Sequence, residues 1–163
     1  MTTPITSQRR TLAFHDLDDA VSDAETLLES GYARAGKWSL AQCCEHLSEW
    51  LRFPVEGFPR QPAPIRAIFW VARHAVGKRM LAGWLSNGSM PAGKPTMPET
   101  VFADAGDDRE AVERFRERVT RFKSHSGPYH PSPLFGQLDH ETATRLQLVH
   151  CAHHLSFLIP TQS

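Results

Sequence analysis

Three of the nine histidines in this 163-residue chain fall within five residues, in the stretch Leu148-Val149-His150-Cys151-Ala152-His153-His154-Leu155. Nothing in the stretch breaks a helix, and a helix start lies upstream at Asp139. Residues four apart on a helix stand one above the other, so His150 and His154 can grip one ion. Such a clamp needs at least one more ligand. Neutral imidazole suits Zn²⁺, Ni²⁺, Fe²⁺ or Co²⁺, and three nitrogen ligands leave positions open for water or substrate. Without an anionic ligand the ion keeps its full charge, and it would strongly acidify a water or thiol bound to it.

The candidate for the third ligand is His46. It sits at the edge of a helical stripe made by Leu40, Cys43, Leu47, Trp50 and Leu51, one turn after Cys43 and one turn before Trp50. The bland alternative is a hydrogen-bonded, semi-buried histidine, with His153 or His154 facing solvent. The choice between those two rests on angles. At ~100° per residue the apolar face of the last helix centres near Ala143, Leu146, His150 and Phe157. His154 then falls about 40° to one side and His153 about 60° to the other, so both stay open as ligands.

Other residues carry a chemical and a bland reading together. Glu49, one turn past His46, is a candidate acceptor or general base, against a solvated surface glutamate. His130, in the loop before the last helix, is a candidate pocket residue, against a residue that caps a turn. Cys43 has the position to face a metal or a thiol substrate, but a cysteine in such a stripe is more often a small buried hydrophobe. Arg66, Arg73, Lys78 and Arg79 suit an anionic substrate, with a solvated face as the default. Trp50, Trp70 and Trp84 read as core or interface.

The elements that must position these groups are helical. Leu17, Ala20, Val21, Ala24, Leu27 and Leu28 repeat at steps of three and four, predicting a helix from about Asp16 to Ser30 that Gly31 ends. Ser39 followed by Gln42 is a capping box, and Trp38 before it can staple against Cys43. The second helix is expected to run to Phe53, where Pro54 stops it. Prolines at 54, 59, 62 and 64 mark an extended connection. Ile65 to Leu85 reads as a helix apolar nearly all round, which calls for cover on more than one side, met by a partner subunit or by a place as the cap over a cavity. Asn87 to Asp107 is a long, unpatterned loop of the kind that often carries function. A helix from about Asp107 to Gly127 and a last helix from Asp139 to about Leu158 complete the chain. No strand alternation of useful length and no repeat is found. The expectation is a single all-α domain over 1–163, with a loose leader at 1–13 and an insertion at 54–106.

Composition narrows the function. Lys plus Arg equals Asp plus Glu at 18 each, which gives no general pull toward nucleic acid. The apolar run from Ala63 to Leu85 is interrupted by charges, which excludes a conventional membrane span but leaves a surface-lying helix open. Three cysteines, two of them adjacent, and no secretory signal point to a reducing, cytoplasmic setting rather than a disulfide framework.

Three segments together carry a resemblance: Gly-Lys-Trp-Ser-Leu-Ala-Gln-Cys-Cys-Glu-His-Leu, then His-Pro-Ser-Pro-Leu-Phe-Gly-Gln-Leu, then His-Cys-Ala-His-His-Leu. In this order and spacing they resemble the DinB/YfiT-like superfamily, in an uncharacterised bacterial branch, over about Arg10 to Pro160. The periodicity already reads as four core helices plus an inserted helix between the second and the third, and the insertion at 54–106 departs from the simplest family pattern. The resemblance implies a four-helix bundle with a mononuclear divalent metal held by His46, His150 and His154. It also implies chemistry of two kinds: transfer or isomerisation dependent on a low-molecular-weight thiol, and hydrolysis. The large insertion keeps the substrate class from being carried over. Three hypotheses follow: a metal-dependent enzyme acting on a small molecule, a non-catalytic metal-binding or interaction module that forms a homodimer, and a bundle without metal.

Overall fold

In the computed structural model, residues 8–94, 96–103 and 106–161 are described. The chain is all-α apart from one small sheet. Its elements are α1 (Leu17–Ser30), β1 (Tyr32–Arg34), α2 (Leu40–Glu56), α3 (Ala63–Ala72), a π turn (Arg73–Gly77), α4 (Lys78–Asn87), a 3₁₀ turn (Pro98–Thr100), α5 (Asp108–Ser124), α6 (His140–Leu155) and β2 (Leu158–Pro160). α2 packs most extensively on α5, α1 lies against α5 and α6, and α2 also meets α6. Leu27, Leu40, Leu47, Leu51, Phe115 and Leu155 are among the side chains that fill the core between these four helices.

The start of α2 is fixed by three separate acceptors. The first N–H groups of a helix have no partner inside it. Here Leu40 N–H donates to the Tyr32 hydroxyl, Ala41 N–H to Asp108 Oδ1, and Gln42 N–H to Ser39 Oγ. Gln42 returns the favour by accepting from Ser39 N–H, which completes the capping box read in the sequence. Tyr32 in turn donates to Asp108 Oδ2, so α1's exit, α2's start and α5's start share one network.

Pro54 does not end α2 as expected; the helix continues to Glu56. A proline inside a helix removes the donor to the carbonyl four residues back. That carbonyl is Trp50's, and Gln147 Nε2 of α6 donates to it at 3.0 Å. A side chain from another helix thus supplies the bond that the proline ring deletes. The helix ends at Gly57, which takes a φ of 108°.

Three further expectations shift. The last helix stops at Leu155 rather than near Leu158, because the backbone beyond it pairs antiparallel with Tyr32–Arg34, Tyr32 opposite Pro160. These three-residue strands are too short to show alternation in sequence. The leader is tied down where it is described: Arg10 pairs with Asp23 at 2.8 Å and donates to the Leu155 carbonyl, and Arg9 bonds Ser156. Residues 1–7 of that leader lie outside the described residues.

The helix expected over 65–85 runs from 63 to 87 and is interrupted by the π turn. Gly77 in that turn approaches the Leu134 carbonyl so closely that a Cβ there would lie 2.3 Å from the oxygen. α4 packs on α6, but no residue of α3 is buried. The cover that its composition calls for is not supplied by the described residues. Among the described residues, no helix is long and apolar enough to cross a membrane.

Candidate metal centre

α2 and α6 bring the predicted histidines together. His46, His150 and His154 each offer one ring nitrogen, and these atoms all lie within 4.8 Å of one another. His46 Nε2 and His150 Nε2 are 3.1 Å apart. Two imidazole nitrogens held at about 2.0–2.1 Å by one tetrahedral ion stand about 3.3–3.4 Å from each other, so this spacing fits a shared ion. The same distance fits an N–H···N bond when His150 carries its proton on Nε2.

His46 is fully buried, whereas His154 keeps some exposure. Its Nδ1 lies 2.9 Å from the Thr100 carbonyl oxygen. A carbonyl only accepts, so Nδ1 carries the proton and the Nε2 lone pair faces the other histidines. This is the tautomer a metal-ligating histidine needs, set by an outer partner. Aromatic rings hold the cluster from outside. Trp38 stacks on His154 with centroids 5.2 Å apart and an interplanar angle of 7°. Trp50 stands edge-on to His150 at 5.6 Å.

Electrostatics keep the imidazoles neutral at pH 7. Burial pulls His46 down to about 4, against the opposing effect of the Thr100 carbonyl. Burial, then the neighbouring His46, takes His150 well below the usual histidine range. Burial, then His150, does the same for His154. Three lone pairs are therefore available to a cation without the loss of a proton from any ring.

His153 points elsewhere. Its Nδ1 lies 3.0 Å from Arg9 Nη2 and 3.2 Å from the Met90 carbonyl, two partners that need opposite protonation of that nitrogen. The reason for its separation from His154 is the true buried stripe of α6, which runs through Ala143, Gln147, Cys151 and Leu155 instead of Ala143, Leu146, His150 and Phe157. At ~100° per residue, His154 lies about 40° from the centre of that stripe, His150 about 80° and His153 about 140°. The buried stripe includes Gln147, a polar residue that the sequence-based face left out.

The other candidates stand apart from the cluster in their contacts. Glu49 is held by Arg52 through two bonds, at 2.6 and 3.0 Å. His130 is exposed; its backbone N–H donates to the Pro54 carbonyl, and its side chain lines a cavity of about 30 Å³ with Trp50, Phe58, Phe135 and Gln147. That cavity is near the size of a single water site, and none of the three clustered histidines forms its wall. Cys43 is buried with its thiol toward the His154 carbonyl, and burial pushes its pKa up to about 12. Its surroundings are those of a small buried hydrophobe rather than of an activated thiol.

Sequence reasoning missed the supports. Trp38 reads as a helix staple, yet its ring lies over His154 and His46. Thr100 acts through its backbone carbonyl, which has no side-chain signature at all. The one available signal was the length of the loop that contains it. Among known proteins, a family described as a protein of unknown function, DUF1569, matches residues 6–161. No curated protein and no solved structure matches.

Proposed function

The chain belongs to the DUF1569 family, whose description assigns no activity, and we propose that it is a metal-dependent enzyme with one divalent transition-metal ion held by His46, His150 and His154. The observation that carries this reading is the convergence of three neutral imidazoles from two helices, with the His46 lone pair turned inward by Thr100. A donor set of three nitrogens and no carboxylate suits Zn²⁺, Ni²⁺ or Fe²⁺. When bound, such an ion supplies Lewis acidity toward an oxygen or sulfur nucleophile. The chain's own residues orient the ligands, through Thr100 on His46 and Trp38 on His154, and exclude water from His46. Its cysteines are held protonated by burial, so a thiol used in the reaction would come from a diffusible low-molecular-weight compound. Hydrolysis and thiol-dependent transfer on a small molecule are the two reaction classes this chemistry serves.

The order of the helices and the two-plus-one distribution of the histidines also support placing α1, α2, α5 and α6 as a DinB/YfiT-like four-helix bundle, with 57–106 inserted. The test is metal content of protein purified without an affinity tag or chelator. One ion per chain, lost in both His46→Ala and His150→Ala, is the expected result; unchanged content in both variants sinks the site.

A second reading is a structural metal site in a non-catalytic module. The complete burial of His46 and the two tryptophan rings around the cluster favour it. Cobalt substitution separates the two. An electronic spectrum that shifts when small thiols or anions are added shows an exchangeable position. A spectrum inert to both, with a melting temperature that collapses on metal removal, belongs to a structural site.

A further inference from the structure

Between Glu56 and Glu99 the chain has no acidic residue, yet it carries Arg60, Arg66, Arg73, Lys78, Arg79 and Lys94. The net neutrality of the whole chain conceals this separation: the remaining twelve basic residues face all eighteen acidic ones. Among the described residues none of the six cations enters an ion pair, whereas Arg114, Arg116, Arg118 and Arg121 of α5 are paired with Glu45, Glu25 and Glu56. The same segment holds five of the six large hydrophobic residues that are exposed among the described residues: Ile65, Ile68 (67 % exposed), Trp70, Val71 and Val76. Ile65, Ile68 and Val71 are three apart and share one side of α3. On the other side, Arg60, Arg66 and Arg73 border an open groove of about 850 Å³ together with Phe58 and Trp70.

We propose that α3 and the π turn after it dock on an anionic lipid surface, with Ile65, Ile68 and Val71 entering the interfacial layer and Arg60, Arg66 and Arg73 meeting lipid phosphates. A basic helix with exposed aliphatic residues and a tryptophan is the composition of helices that lie in the membrane interface, and long arginine side chains reach headgroups while the helix body sinks. Each cation near such a surface adds to the attraction, and the six act together. A second copy of the chain is a poorer occupant, because symmetric pairing through this segment sets like charges against like. A nucleic acid would satisfy the arginines but leave the aliphatic stripe in water.

The test is co-sedimentation of the full chain with vesicles of phosphatidylcholine alone and of phosphatidylglycerol and phosphatidylcholine in about a one-to-three mix. The chain is expected to partition at least about tenfold better onto the anionic vesicles, and to be released as salt rises from about 0.1 M to about 0.5 M. Arg66→Ala with Arg73→Ala should weaken partitioning roughly thirtyfold, from the contribution of two cations at the surface. Ile68→Asp with Val71→Asp should abolish it. All four positions lack burial in the core, so unchanged thermal melting checks that the variants remain folded. The proposal is overturned if the chain stays in solution with anionic vesicles, or if both double variants bind as the parent does. It is equally overturned if sedimentation shows a stable dimer that Ile68→Asp dissociates while vesicle binding is absent.

Discussion

Thr100, in the inserted segment, directs its carbonyl oxygen at Nδ1 of His46 across 2.9 Å, and that single contact fixes which nitrogen of a buried histidine faces the candidate metal centre. The carbonyl is itself held by a 3₁₀ turn in which the Thr100 hydroxyl donates to the Met97 carbonyl at 2.8 Å. Among the described residues, the insertion therefore reaches the centre through its backbone and contributes no ligand side chain.

Thr100→Val tests this coupling. It keeps the side-chain shape and removes the hydroxyl that pins the turn, while Thr100 N–H still satisfies the Met97 carbonyl. Loss of the buried hydroxyl bond should cost about 1 kcal/mol in urea unfolding. A loosened outer partner should weaken metal affinity about tenfold or more in a chelator competition. Equal affinity in the variant and the parent would show that Thr100 only packs.

Gln147 and Pro54 are coupled through Trp50. In the parent, Gln147→Leu leaves the Trp50 carbonyl without a donor. In a Pro54→Ala background the restored N–H at 54 can satisfy that carbonyl inside the helix. A double-mutant cycle read by denaturant unfolding should therefore show Gln147→Leu costing about 1–2 kcal/mol more with proline than with alanine at 54. The cycle is needed because Gln147 Oε1 is buried without a partner, and its removal offsets part of the single-variant cost. Additive effects would reject the assignment.

The metal-stripped chain should lose stability in mild acid. His46 has an ordinary value of 6.5 when unfolded and is held near 4 by burial when folded, so the unfolded chain takes up protons first. The stabilisation is complete above 6.5, declines as pH falls from 6.5 toward 4, and levels off once the folded form is protonated as well. His150 and His154 are displaced in the same direction. His46 alone gives a slope of at most about 1.4 kcal/mol per pH unit in that window. Urea midpoints at a series of pH values check this, and His46→Gln should reduce the slope, leaving the part that His150 and His154 contribute.

The three cysteines should resist alkylation in the folded chain. Burial raises Cys43 and Cys151 to about 12 and Cys44 well above its usual range. The thiolate is the reactive form, so iodoacetamide near pH 8 should label none of them at a rate comparable with a free thiol. All three should react after unfolding. Fast labelling of Cys43 alone would reopen its role beside His154.

Much of the frame was legible from local chemistry. The Ser39–Gln42 capping box started α2 where the sequence marked it, and Asp107 and Asp139 cap α5 and α6 as their types demand. His46, His150 and His154 could be grouped because helical spacing is a local property, and because His46 lies in an apolar stripe. Which of His153 and His154 stands beside His46 and His150 could not be told that way. It turned on which face of α6 is buried, and that face includes Gln147, a polar residue whose burial makes sense only beside the Trp50 carbonyl.

The sequence by itself determined the helices, their caps and the residue types able to bind a metal, since each depends on neighbours within a turn or two. Only the tertiary structure decided that Pro54 does not end its helix, that Trp38 covers His154 and that Thr100 orients His46. Each of these is a contact between groups far apart in the chain. Two of them act through a backbone carbonyl, a group every residue carries and no sequence pattern can single out.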